Sequence, residues 1–152
     1  MPETEKLPVA VGSDHGGYEL KEKIKKVLES ESVEFKDFGC FSEESCDHPL
    51  IAKDVAEAVS SGAFSRGILV CGTGIGMSLA ANKVKGIRAA VAYSVETAKL
   101  SREHNDSNIL CMGARTLDHD MALEMVKVWL STNQLPDEKY KRRTQQIMSF
   151  EK

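Results

Sequence analysis

The chain has 152 residues, of which 41% are hydrophobic and 28% are charged, as in an ordinary soluble globular protein. Its formal net charge of −3 at pH 7 provides no general positive field for nucleic acid. No apolar run approaches the ~20 residues that a membrane span needs, and the polar, acidic residues 1–8 do not resemble a signal peptide. We therefore expect a cytoplasmic protein with no nucleic-acid or membrane partner.

Short apolar strands and amphipathic helices alternate along the chain. Strands are predicted at residues 7–13, 33–38, 66–71, 87–93 and 108–112, and helices at residues 18–30, 49–61, 77–83, 94–102, 118–130 and 137–150. Apolar strands joined by helices imply a parallel sheet that is covered on both faces. We predict one α/β domain over residues 1–152, a doubly wound parallel sheet of about five strands in three α/β/α layers, with a basic C-terminal helix at about residues 137–150.

Ligands of such sheets bind beyond the carboxyl ends of the strands. The clearest segment there is CGTGIG, residues 71–76. Its alternating glycines let successive N–H groups turn into one concavity, and the next helix adds the positive end of its dipole. The pattern is neither the GxGxxG of dinucleotide binders nor a P-loop. An anion cradle is predicted, with a tight turn that holds no ligand as the alternative.

Cys71 directly precedes these amides. The loop amides and the helix end favour its thiolate, and Thr73 could hydrogen-bond it. A thiolate beside an array of N–H groups is a base beside an oxyanion hole, which suits proton abstraction next to a carbonyl. A buried, inert cysteine is the alternative.

The four cysteines include no CxxC pair, which is typical of reduced thiols in a cytosolic protein. A zinc site built from Cys40, Cys46 and His48 is disfavoured, because the spacing is unusual and a fourth ligand is missing. No metal site is predicted.

Two further polar segments are candidates for the site. His104 and Asn105 lie in a loop before the last strand, where histidine suits acid/base chemistry and asparagine can donate to an oxyanion. A helix end followed by an ordinary turn explains the same residues. Asp14 and His15 follow the first strand, and Asp14 could equally cap a helix.

Basic residues are concentrated near the C-terminus at residues 139–143. Such runs are usually solvated, but Lys139 and Arg143 lie four apart on one helix face and could hold a phosphate. His48 and His119 are interpreted as surface or capping residues.

Three segments carry a resemblance to a known family: GSDHGGYELK (12–21), GILVCGTGIGMSLAANKVKGIRAA (67–90) and LSREHNDSNILCMGAR (100–115). They resemble the ribose-5-phosphate isomerase type B family, which includes the galactose-6-phosphate isomerase subunits, and the resemblance runs from about residue 9 to 147. It implies a Rossmann-like fold and interconversion of ribose 5-phosphate and ribulose 5-phosphate in the pentose phosphate pathway, without a metal or organic cofactor. It also implies a homodimer or tetramer whose sites are each shared between two subunits.

The resemblance also implies roles for individual residues. Cys71 matches the base that moves a proton between C1 and C2, with Thr73 beside it, and His104 matches the group that opens the furanose ring. The residues that match substrate contacts are Asp14, His15, Gly72, Thr73, Gly74, Ile75, Gly76, Asn105, Arg115, Lys139 and Arg143.

Two positions depart from the family pattern. Lys139 stands where the family has arginine, and Tyr140 where histidine is common. Lysine keeps the charge but not the bidentate fork, so the sequence leaves the length of the sugar open. Isomerisation of a six-carbon aldose phosphate, such as allose or galactose 6-phosphate, is the second hypothesis. A non-catalytic sugar-phosphate or nucleotide-binding module is the third.

Overall fold

The structure is a computed structural model that describes residues 7–152. Residues 1–6, on which the comparison with a signal peptide largely rests, lie outside the described residues. The strands are β1 (Val9–Ser13), β2 (Phe35–Asp37), β3 (Arg66–Cys71), β4 (Ala89–Val91) and β5 (Ile109–Gly113). The helices are α1 (Tyr18–Ser30), α2 (His48–Ser60), α3 (Ile75–Ala81), α4 (Val95–Glu103), α5 (His119–Ser131) and α6 (Glu138–Met148). Every predicted strand and helix is confirmed, with shifts of a few residues at some ends.

The strands form one sheet in the order β2-β1-β3-β5-β4, and all neighbouring pairs are parallel. The predicted doubly wound sheet is therefore confirmed. We call the edge where β1, β3 and β5 end, at Ser13, Cys71 and Gly113, the carboxyl edge. The opposite edge, where β3 and β5 begin at Arg66 and Ile109, is called the amino edge.

Side chains of β3 alternate between two buried clusters, one on each face of the sheet. Val70 belongs to the same buried cluster as Trp129 of α5 on one face, and Leu69 and Cys71 belong to the cluster that contains Met77 of α3 on the other. Burying a large aliphatic or aromatic side chain contributes roughly 1.5–3 kcal/mol, so both faces hold the strand in place. Packing on both faces of the sheet therefore fixes the position of Cys71 at the end of β3.

Two predicted helix starts are confirmed by their caps. Ser94 Oγ accepts a hydrogen bond from Thr97 N at 3.0 Å, and Asp118 Oδ1 accepts one from Asp120 N at 2.7 Å. These bonds satisfy backbone donors that the first turn of a helix leaves free. His119, interpreted as a surface or capping residue, is half-buried and follows the N-cap residue Asp118, and its Nε2 lies 3.1 Å from Ala114 O.

Two of the four cysteines are not reduced. Cys40 and Cys46 form a disulfide in the loop between β2 and α2, so the expectation of four free thiols is wrong for this pair. The loop folds back until their Cα atoms lie 6.7 Å apart, which is within reach of a bridge and which sequence spacing does not reveal. The same bridge removes both sulfurs from the disfavoured zinc site, and residues 7–152 contain no group of three or more possible metal ligands.

Cys71 and Cys111 are free and buried, and burial raises the pKa of the Cys111 thiol well above its ordinary value.

Of the helices within residues 7–152, none has the length and apolar character to cross a bilayer.

Candidate active site

The glycine loop turns back onto the sulfur of Cys71. Gly74 N donates a hydrogen bond to Cys71 Sγ at 3.1 Å, and Cys71 is only 5% exposed. Gly74 has a φ of +82°, and a Cβ there would lie 2.9 Å from the backbone carbon of Met112. Glycine is required because it tolerates both the positive φ and the close approach. The sulfur thus faces a backbone donor from its own loop, and a donor of this kind stabilises negative charge on sulfur.

Thr73 does not make the expected bond to Cys71. Its Oγ1 accepts a hydrogen bond from Ile75 N at 3.2 Å, and the residue is exposed. Thr73 therefore shapes the loop rather than contacting the thiol, and the Gly74 amide takes the place that the sequence suggested for the hydroxyl. A backbone donor leaves no trace in the choice of side chain, so the sequence could not identify it.

Arg115 lies over the start of the glycine loop. The segment after β5 is held by Ala114 N, which donates to Cys71 O at 2.9 Å, and by Arg115 N, which donates to Gly72 O at 3.0 Å. A Cβ on Gly72 would lie 3.4 Å from Arg115 Nη1, and one on Gly16 would lie 3.6 Å from Nη2. The guanidinium therefore spans two segments of the carboxyl edge and brings a fixed positive charge to it.

Asp14 and His15 lie on the same edge, in the turn after β1. Asp14 N donates to Val70 O at 3.2 Å, and Asp14 Oδ1 accepts from Gly17 N at 3.0 Å, so Asp14 does act as a cap. His15 Nδ1 accepts from Cys46 N at 3.3 Å. That bond leaves Nε2 as the protonated nitrogen of the neutral ring, a donor for a ligand.

The remaining predicted site residues lie on the amino edge. His104 ends α4, and its ring stacks on Tyr140 of α6 with centroids 4.6 Å apart. Lys139 Nζ lies 5.0 Å from the centre of the Tyr140 ring. Asn105 is exposed and lines a cavity of about 760 Å³, and Arg143 is exposed on α6. These residues form a second cluster, separate from Cys71.

The two clusters stand far apart within one chain. Cys71 is level with Gly113 at the end of β5, whereas Asn105 precedes Ile109 at its beginning. Four residues of strand separate the two levels by about 13 Å. The structure therefore brings together Cys71, the glycine loop, the turn at Asp14 and Arg115, and it leaves the His104 cluster on the opposite edge.

Sequence reasoning missed two arginines that hold the His104 loop. Arg102 Nη1 and Arg88 Nη2 contact the carboxylate of Asp106 at 2.9 and 3.4 Å, and Arg88 Nε donates to Asp106 O at 2.8 Å. Asp106 adopts a positive φ of 49°, which an aspartate tolerates better than most residues. The pair Arg102 and Asp106 has the i, i+4 spacing of a helical ion pair, but nothing in the sequence joins Arg88 to them.

Comparison with known proteins shows what this arrangement is similar to. The family model described as Ribose/Galactose Isomerase matches residues 9–147. The chain is 42% identical over 143 residues to ribose-5-phosphate isomerase B of Escherichia coli, an alignment that covers 94% of this chain and 95% of that protein. The solved ribose-5-phosphate isomerase B of Clostridium thermocellum superimposes with a TM-score of 0.91 at 46% identity, covering 94% of this chain and 96% of that one. The type B ribose 5-phosphate isomerase of Trypanosoma brucei gives a TM-score of 0.92 at 39% identity, covering 95% and 99%.

Proposed function

This chain belongs to the ribose/galactose isomerase family, and from that premise we propose that it interconverts D-ribose 5-phosphate and D-ribulose 5-phosphate. The observation that carries the proposal is the buried Cys71 sulfur, 3.1 Å from the Gly74 amide, with the Arg115 guanidinium beside the same loop. A base next to backbone donors is what proton transfer between two carbons requires. The family match spans residues 9–147, so it supports one catalytic domain over nearly the whole chain.

Cys71 is the proposed base. As a thiolate it takes the proton from C2 of the open-chain aldose, and the electron pair moves through the new C1–C2 double bond onto the C1 oxygen. Amides of the loop donate to this enediolate. Returning the proton from Cys71 to C1, while a proton moves from the C2 oxygen to the C1 oxygen, gives the ketose. Gly74 N already bonds the sulfur and Ile75 N bonds Thr73 Oγ1, so we assign the oxyanion contacts to the remaining amides of residues 72–76.

The remaining carboxyl-edge residues are proposed to hold the sugar. Asp14 keeps a second carboxylate oxygen for a hydroxyl, since only Oδ1 is used by Gly17 N. His15 offers Nε2 as a donor because Nδ1 accepts from Cys46 N. Arg115 supplies positive charge over Gly72, where negative charge develops.

We propose a homodimer in which each site is completed by the partner. One chain cannot place His104 and Asn105 on a sugar bound at Cys71, because the two levels are separated by about 13 Å of strand. Helix α3, which follows the glycine loop, exposes Ile75 and Leu79 at 55% and 65%. Exposed apolar side chains beside an incomplete site support an interface there. A tetramer would be two such dimers.

In that dimer the amino-edge cluster meets the sugar from the other side. The partner's His104 is proposed to open the furanose ring, and the partner's Asn105 to assist at the enediolate. The partner's Lys139 and the partner's Arg143, one turn apart on α6, would hold the phosphate. A cytoplasmic location fits a sugar-phosphate isomerase, and we propose it on that ground.

The substrate is tested by assaying the purified protein with ribose 5-phosphate, allose 6-phosphate and galactose 6-phosphate. We expect turnover of ribose 5-phosphate to dominate and a chelator to have no effect. Conversion of a six-carbon phosphate alone would favour the second hypothesis, because the chemistry at Cys71 is the same and only the pocket length differs. Ribose 5-phosphate binding without conversion would identify a binding module and contradict the proposal.

A further inference from the structure

The four histidines of the chain differ in what their rings contact. His119 uses both nitrogens, with Nε2 3.1 Å from Ala114 O and Nδ1 3.0 Å from Lys23 Nζ. His15 is bonded through Nδ1, and His104 stacks on Tyr140. Among residues 7–152, the His48 ring has no hydrogen bond, ion pair or aromatic contact. Its two nitrogens are therefore available to a ligand.

His48 is nevertheless placed against the glycine loop. It begins α2 and is half-buried. A Cβ built on Gly76 would lie 2.4 Å from His48 Nε2, but 3.0 and 3.1 Å from the two ring carbons beside it. The Nε2 tip of the ring thus points at Gly76, and this close approach explains why position 76 carries no side chain.

The loop is bracketed by two side chains as a result. Arg115 lies over Gly72 at its start, and His48 lies against Gly76 at its end. His48, interpreted as a surface or capping residue, is half-buried, and Asp47 occupies the N-cap position of α2. A half-buried imidazole without a hydrogen-bond partner, beside the loop that we propose binds the sugar phosphate, can donate a hydrogen bond to a ligand there or accept one from it.

We propose that His48 is a substrate-contacting residue of the protomer that provides Cys71. Its imidazole hydrogen-bonds a hydroxyl of the sugar phosphate held over residues 72–76, and this contact contributes to selecting the length of the sugar. The inference rests on the proposed function and adds to it a residue on the same edge as the base. A site that hydrogen-bonds a particular hydroxyl discriminates against a sugar that cannot present one there.

The test compares two variants of His48. His48→Phe keeps a flat ring against Gly76 and removes both nitrogens, whereas His48→Gln keeps a polar side chain that can donate and accept. We expect His48→Phe to raise KM for ribose 5-phosphate about 3- to 10-fold with a smaller change in kcat, the effect of losing one hydrogen bond. His48→Gln should restore most of the affinity. The ratio of kcat/KM for ribose 5-phosphate over allose 6-phosphate should change in His48→Phe and recover in His48→Gln.

Lys53→Ala is the matched control, because Lys53 lies on the same helix and pairs with Glu57 on its exposed face. Its kinetics should equal those of the wild type. A His48→Phe enzyme with KM within twofold of the wild type would overturn the inference. So would equal losses in both His48 variants together with equal losses of thermal stability, since the ring would then only cover Gly76. If the wild type does not convert ribose 5-phosphate, the proposed function fails instead; calorimetry of ribose 5-phosphate binding to His48→Phe then tests the contact alone.

Discussion

Each edge of the sheet holds a carboxylate between two cations, and the two carboxylates differ in how deeply they are buried. At the carboxyl edge, Asp37 is 2.8 Å from Lys21 Nζ and 2.9 Å from Lys25 Nζ, with the Lys21 side chain 0% exposed and that of Asp37 12%. At the amino edge, the Asp106 carboxylate meets Arg102 and Arg88 at 2.9 and 3.4 Å and is 35% exposed. Screening weakens the more exposed set, so the carboxyl edge is the more strongly supported of the two.

Helix α6, beside the amino edge, is also less buried than strand β3, which leads to the carboxyl edge. Thr144 is the one residue of α6 that is buried, whereas β3 is buried along nearly its whole length. A base must be held within a fraction of an ångström of the carbon it deprotonates, and Cys71 has that support. In the proposed dimer, the groups assigned to the phosphate and to ring opening would be ordered by the partner's surface. This difference supports the proposed assignment of the base to the carboxyl edge and of the phosphate and ring-opening groups to the amino edge.

Removing the base tests the stronger edge. Cys71→Ala should lower kcat by roughly 100- to 10,000-fold, the usual contribution of a positioned base, with little change in the affinity for ribose 5-phosphate. Stopped assays and calorimetry measure the two quantities. Cys111→Ala is the matched control, because Cys111 is the other free, buried cysteine on the same sheet face and should keep its turnover. Turnover that survives in Cys71→Ala would remove the central assignment.

Subunit complementation tests whether the two edges work in different chains. His104→Ala alone should lose about 100-fold in kcat. Mixing it with Cys71→Ala under conditions of subunit exchange should restore about one quarter of wild-type activity, because half the dimers are mixed and each holds one intact site of two. If one chain supplied both residues, no mixture would regain activity.

The phosphate grip should respond less strongly than the acid/base groups. Arg143→Ala should raise KM for ribose 5-phosphate about 10- to 100-fold, the value of a hydrogen bond to a charged group, with kcat changed less. Arg142→Ala is the control, since its side chain points about 100° away around α6. Lys139→Arg restores the bidentate fork and should leave KM equal or lower. Equal effects of the Arg142 and Arg143 variants would indicate a general charge effect instead of a phosphate site.

The sequence predicted the elements well because their signals are local. The helix Tyr18–Ser30 and the strand Arg66–Cys71 were located to the residue. Strands β2 and β4 were predicted longer than they are, since both lie at the sides of the sheet and extend only where β1 or β5 offers a pairing partner. Apolar pattern alone cannot show where pairing stops.

The site was predictable in its residue types more than in its contacts. Cys71 and its glycines form a local motif, so the sequence located them. Their bonds depend on packing between distant segments: His48 meets Gly76 only because α2 and α3 lie side by side, and the Cys40–Cys46 bridge only because its loop folds back. The separation of His104 from Cys71 follows from topology. His104 precedes β5, Cys71 ends β3, and these two strands run parallel.

Substitution of the two carboxylates, Asp37 and Asp106, should have the smallest effect on turnover of the changes considered. Burial would raise the pKa of Asp37, but hydrogen bonds from Lys21 and Lys25 outweigh it, and the pKa lies below its ordinary value. The carboxylate therefore stabilises the fold above the unfolded pKa of about 3.9, and this stabilisation is lost as the pH falls through the lower folded value.

Asp37→Asn should cost about 3 kcal/mol of unfolding free energy at pH 7, because Lys21 stays buried without its counter-charge, and Asp106→Asn about 1 kcal/mol or less. Urea titrations from pH 7 to pH 2.5 measure both. The gap between wild type and Asp37→Asn should narrow below about pH 4, where the carboxylate of the unfolded wild type begins to protonate while the native one is still ionised. Equal losses of unfolding free energy in the two variants would mean that the two edges are equally supported. Rigidity would then not explain why the proposed base lies on the carboxyl edge.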